Sequence, residues 1–130
     1  MKIVVSPNPY RDKQFKNARQ ACSILREAGA EVALCLPFDV DKTFEIPHDL
    51  RFQDIQKEIK TADMLICFGG DGTILHSSKI ATEHNLPILG VNIGTMGFIA
   101  ELEAGEIELL RKIPKGDYTV EERTMLDVSV

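Results

Sequence analysis

The chain has few cysteines, no long apolar run and no excess of positive charge, and each shortage removes a class of protein. Cys22, Cys35 and Cys67 are odd in number and none stands in a Cys-x-x-Cys spacing, so neither a disulfide framework nor a zinc site is expected. Cys67 lies inside an apolar run and reads as a small buried residue. No stretch approaches the roughly 20 apolar residues of a membrane span. The apolar start, Ile3-Val4-Val5, is also too short for a signal peptide. The expected compartment is the cytoplasm. A net charge of −5 argues against a broad nucleic-acid or anionic-membrane footprint. A phosphate ester would then have to be met locally, by backbone N–H groups, a helix N-terminus, a bound cation or single basic residues.

What is present is an ordinary globular composition, 44% hydrophobic and 27% charged over 130 residues. A chain of this size buries roughly two-thirds of its unfolded surface and folds without staples. Short apolar runs alternate with helix-like stretches. Ile3-Val4-Val5 predicts a strand, ended by the prolines of Ser6-Pro7-Asn8-Pro9. Phe15, Ala18, Ala21, Cys22, Leu25 and Ala28 recur at helical spacing over 12–28, and Gly29 supplies the stop. A second strand is expected over 31–36, a polar connection without clear period over 37–50, and a short charged helix over 51–61. Met64-Leu65-Ile66-Cys67-Phe68 is apolar without alternation, the mark of a central strand covered on both faces. Helix is expected over 74–84, a fourth strand over 87–91 and a further helix over 103–113, with Ile107, Leu110 and Ile113 on one side. The predicted fold class is α/β, a doubly wound, mostly parallel three-layer sheet with right-handed crossovers. Residues 118–130 read as strand with no hairpin partner. They are expected to open a second, β-rich domain that follows an α/β domain at 1–117.

Ligands of open α/β sheets sit beyond the carboxyl ends of the strands, which selects 6–9, the segment after Leu36, 69–73 and 92–98. Gly69-Gly70-Asp71-Gly72-Thr73 is expected to turn sharply, with glycines free to take positive φ. Its N–H groups and the following helix start can form an anion nest. Asp71 is the odd component, because a carboxylate there repels phosphate. It can cap the helix, abstract a proton from a hydroxyl, or hold a cation beside the phosphates. A G-x-x-x-x-G-K-[ST] loop is absent, and Leu75 stands where G-x-G-x-x-G needs its third glycine.

The Gly69–Thr73 segment resembles the GGDGT signature common to NAD kinases and diacylglycerol and sphingosine kinases, and nearly so to phosphofructokinases. The stretch Leu89 to Leu102, LGVNIGTMGFIAEL, is similar to the NAD kinase pattern of Gly-Val-Asn followed by Gly-Thr-x-Gly-Phe. Glu122-Arg123-Thr124-Met125-Leu126 looks like the entry to that family's second domain. The resemblance implies transfer of a phosphoryl group from ATP or polyphosphate to the adenosine 2′-hydroxyl of NAD, giving NADP. It implies a divalent cation, Mg2+, arriving with ATP, and a homo-oligomer in the full-length form. Asp71 becomes the general base, Gly70, Gly72 and Thr73 border the nucleotide, and Asn92 and Phe98 come near it. Many relatives carry arginine at the place of His76, so a charge contact there is in doubt. His48 and His84 are read as surface residues. The family's Asn-Glu motif and β-rich domain would lie beyond Val130. Two further readings stay open at this point: a lipid or sugar-phosphate kinase of the same superfamily, and a nucleotide sensor without catalysis.

Overall fold

The computed structural model describes residues 1–93, 102–116, 119–120 and 126–127. Five parallel strands form one sheet: β1 (Lys2–Pro7), β2 (Glu31–Leu34), β3 (Met64–Gly69), β4 (Ile88–Asn92) and β5 (Leu102–Glu103), in the order β2-β1-β3-β4-β5. Successive side chains of a strand point to opposite faces, and here both faces are covered. Ile3, Val5, Ile66, Phe68, Leu89 and Val91 face one core, while Val4, Leu65, Cys67 and Ile88 face the other. This explains the missing alternation in β3, all six residues of which are buried.

Helix α1 (Lys16–Glu27) covers the first face together with a 3₁₀ helix, Ala104–Lys112, whose Ile107 and Leu110 are buried as expected. Arg111 ties that 3₁₀ helix to α1 through Glu27 at 2.9 Å. On the opposite face lie the short helix α2 (Ile55–Glu58), the 3₁₀ turn Ile59–Thr61 that follows it and helix α3 (Asp71–Glu83), the last two burying Ile59, Ile74 and Ala81. The three-layer, doubly wound α/β class read from the sequence is the observed one. No helix among the described residues is long and apolar enough to cross a membrane.

Several boundaries differ from the sequence reading, each for a local reason. Helix α1 begins at Lys16 rather than near Asp12, because Gln14 and Phe15 are left-handed, at φ 57° and 55°. Buried Asp12 reaches across them, its carboxylate accepting from Asn17 N at 3.0 Å and Ala18 N at 2.9 Å. Both long helices end in a Schellman motif. At the end of α1, Gly29 stands at φ 100°, Gly29 N donates to Arg26 O and Ala30 N to Leu25 O. The end of α3 repeats the pattern with Asn85 at φ 53°, Asn85 N donating to Thr82 O and Leu86 N to Ala81 O. The 37–50 connection is less polar in behaviour than in composition: Phe44 packs on the core beside Phe15, and Arg19 pairs with Asp49. At the C-terminal end, β6 (Thr119–Val120) pairs antiparallel with β7 (Leu126–Asp127), in a sheet separate from the first. The expectation that 118–130 holds strand without a hairpin partner is thereby corrected.

Candidate functional site

In a 2-1-3-4-5 sheet the chain reverses its direction of winding between β1 and β3, and a crevice opens beyond their carboxyl ends. The turn after β1 and the glycine loop after β3 border a cavity there of about 330 Å³. Asn8 joins the two sides. Its backbone N–H donates to Phe68 O and its Nδ2 to Thr73 Oγ1, both at 2.8 Å, while its Oδ1 accepts from Tyr10 N at 2.9 Å. The latch ties residues 65 apart in sequence.

Helix α3 starts at Asp71, three residues earlier than the periodicity suggested, with Gly70 as N-cap. The capping reading of Asp71 is therefore replaced: Asp71 occupies the first helical turn, where a carboxylate is favoured by the helix dipole. The expected positive φ in the loop is also corrected. Gly70 is extended at φ −94° and ψ −171°, and the positive-φ glycines among the described residues are Gly29 and Gly116.

The three glycines have separate reasons. A Cβ on Gly69 would stand 2.7 Å from both Cβ and Oγ1 of Thr73, so the strand–helix packing excludes it. A Cβ on Gly70 would meet only the Arg11 guanidinium, at 3.7 Å from Cζ, an ordinary contact. One on Gly72 would meet nothing within 4 Å. The fold thus demands glycine at 69, would tolerate a Cβ at 70 in contact with Arg11, and leaves 72 facing open space. On β4, Gly90 admits Ile74, whose Cδ1 would stand 2.9 Å from an added Cβ. That contact lets α3 lie close on the sheet.

Of the residues singled out in the sequence, Gly70, Asp71, Gly72, Thr73 and His76 line the cavity. His76 Nε2 lies 3.0 Å from Pro37 O; since a carbonyl only accepts, Nε2 carries a proton. Phe38 meets the His76 ring edge-on at 6.4 Å between centroids and stacks on Tyr10 on its other side. Asn92 is not brought to the cavity. It is 4% exposed and its Nδ2 donates to Glu103 Oε2 at 2.9 Å. Phe98 lies outside the described residues, as does most of the second glycine segment. The buried Cys67 thiol sits in the strand beneath the loop, and burial pushes it up to about 12, which fits a core residue rather than a nucleophile.

Three further lining residues are Asn8, Arg11 and Phe38; the sequence had marked the segments holding Asn8 and Phe38 without giving either a role, and Arg11 lay outside them. The strand-end rule reached 6–9 and the segment after Leu36, and stopped two residues short of Arg11. Among the described residues no group of three or more His, Cys, Asp or Glu could hold a metal ion. A single carboxylate, Asp71, fits one ligand position of a cation brought in by a phosphate chain.

Comparison with known proteins agrees with this geometry. The model of the ATP-NAD kinase N-terminal domain matches residues 2–118. An NAD kinase of Bacteroides fragilis is 32% identical over 130 residues, covering 98% of this chain and 45% of its own length. One from Caldanaerobacter subterraneus subsp. tengcongensis is 35% identical over 130 residues, with 99% and 44% covered. A third, from Corynebacterium diphtheriae, is 31% identical over 133 residues, with 99% and 42% covered. The chain thus spans less than half the length of these relatives.

Proposed function

The chain belongs to the ATP-NAD kinase family, and on that premise we propose that its protein phosphorylates the adenosine 2′-hydroxyl of NAD, with ATP or polyphosphate as donor, to make NADP. The observation that carries the reading is the placement of Asp71 at the mouth of the switch-point cavity, in the first turn of α3 and beside glycines that the fold itself does not require. Asp71 is the general base: its carboxylate takes the proton of the 2′-hydroxyl as that oxygen attacks the terminal phosphorus of the donor. The bond from that phosphorus to its bridging oxygen breaks, and ADP or a shortened polyphosphate leaves. Such a base contributes about 10²–10⁴-fold.

Gly70 and Gly72 admit the ligand close to the backbone, and N–H groups at the start of α3 meet its phosphates. Thr73 is held by Asn8 and so fixes the loop against β1. His76 lines the same cavity, and contacts of Asn92 and Phe98 with NAD are proposed from the family resemblance alone. A divalent cation, Mg2+, would be carried by the phosphates of ATP and would neutralise part of their charge, leaving Asp71 to act as the base. The protein works in the cytoplasm as a homo-oligomer, away from nucleic acid and membranes. Residues 1–117 are the nucleotide-binding domain and 118–130 open a β-rich domain, a division supported by the separate two-stranded sheet of β6 and β7.

The test measures NADP formation from NAD and ATP. The 130-residue chain alone is expected to turn over little or no NAD, since more than half of each relative lies outside the match. Efficient turnover by it would refute the need for a second half. In a polypeptide that continues this chain with the part found in its relatives, Asp71→Asn should lower kcat about 10²–10⁴-fold. A near-normal kcat would refute the base assignment.

A further inference from the structure

Among the described residues one cationic side chain, that of Arg11, lines the cavity, and its position is informative. Arg11 follows β1, far in sequence from the glycine loop, yet its guanidinium lies over Gly70, where a Cβ would stand 3.7 Å from Cζ and 3.8 Å from Nε. The turn carrying it is hydrogen-bonded: Arg11 N and Asp12 N both donate to Asn8 O, at 3.1 and 2.9 Å, and the Asp12 carboxylate accepts from the start of α1. The ion pairs among the described residues use Lys2, Arg19 and Arg111, and none engages Arg11. A guanidinium beside the N-cap of a 13-residue helix faces the positive end of that helix, which disfavours it unless an anion lies between them. Among the described residues, the carboxylate that lines the cavity is that of Asp71, a single charge.

We infer that Arg11 holds the phosphate chain of the donor against the N-terminus of α3, an inference that rests on the kinase reading above. A tri- or polyphosphate brings several negative charges toward Asp71, and Arg11 offsets that repulsion. Its planar fork gives two parallel N–H donors to phosphate oxygens, which a lysine point charge does not. The chemistry recognised is the linear phosphoanhydride chain, common to ATP and to inorganic polyphosphate. Gly70 is compatible with the same scheme, since an added Cβ would already be in van der Waals contact with the guanidinium at 3.7 Å.

The test is calorimetric titration of the 130-residue chain with inorganic tripolyphosphate, ATP and adenosine, in the wild type and in Arg11→Ala and Arg11→Lys. Urea unfolding serves as a fold control. Arg11→Ala should weaken tripolyphosphate and ATP by about 10-fold or more, leave adenosine unchanged and flatten the salt dependence. Arg11→Lys should recover only part of the loss. A weakening confined to ATP would show that Arg11 reads the nucleoside instead, and would overturn the inference. So would unchanged tripolyphosphate affinity in a folded Arg11→Ala chain, or no tripolyphosphate binding by the wild type. In the longer polypeptide, Arg11→Ala should raise KM for the donor and leave KM for NAD in place. An active enzyme whose donor KM is unmoved sinks the role of Arg11 and spares the kinase reading. Arg11-dependent tripolyphosphate binding with no NADP formation sinks the kinase reading alone.

Discussion

Replacing Gly69 by alanine tests whether the glycine loop is built for packing or for ligand. The added Cβ would stand 2.7 Å from Thr73 Cβ and Oγ1 and 3.0 Å from its Cγ2, against an ordinary contact of 3.4–4 Å. Rotating Thr73 about χ1 moves its hydroxyl and methyl but leaves Cβ in place, so relief requires α3 to shift from the sheet. Helix and strand are both buried here, with Phe68 at 0% and Thr73 at 7% exposure. Overpacking of this kind costs about 1–3 kcal/mol, and the unrotatable Cβ clash places Gly69→Ala in the upper half, roughly 2–3 kcal/mol. Gly72→Ala is the counterpart. Its Cβ meets nothing within 4 Å, its backbone is helical, and it should gain about 0.5 kcal/mol. Urea unfolding monitored by circular dichroism separates the two, with midpoints moving in opposite directions at unchanged slope. A Thr73→Gly change should couple favourably with Gly69→Ala by about 1 kcal/mol or more. A Gly69→Ala chain within about 0.5 kcal/mol of wild type would refute the steric reasoning. If the stabilised Gly72→Ala variant also loses NADP formation at least 10-fold in the longer polypeptide, that glycine serves the ligand.

Three further predictions concern the rest of the fold. Asp12→Ala removes three hydrogen bonds from a buried carboxylate and strands Asn17 N and Ala18 N at the start of α1, costing about 2–3 kcal/mol. Gln14→Gly, at φ 57°, should instead raise the urea midpoint, and a fall would contradict the left-handed turn. Burial pushes the Cys35 and Cys67 thiols from an ordinary 9.0 to about 12. The unfolded chain then ionises first, so stability holds below pH 9 and falls as pH rises from 9 toward 12. Urea midpoints at pH 8 and 10.5 measure that loss. A Cys35→Ala, Cys67→Ala chain with the same pH slope would exclude the thiols as its cause.

The sequence by itself determined the class of fold and the chemistry of its central loop. Apolar runs of two kinds, helical in 12–28 and unalternated in 64–68, follow from which faces each element must bury, and those patterns are local. The two glycine segments likewise named the family, because their residues are consecutive. Only the tertiary structure decided the strand order, since periodicity says which face is buried and nothing about which strand lies alongside. That order sets β1 against β3 and so carries Asn8 and Arg11 to a loop more than 50 residues away. It also decided why each glycine is a glycine: Gly69 is excluded from change by Thr73 across a close packing contact, not by its own backbone angle, and Gly72 is not constrained by the fold at all. Steric exclusion is a property of what lies opposite a residue, which a linear string of residues does not record.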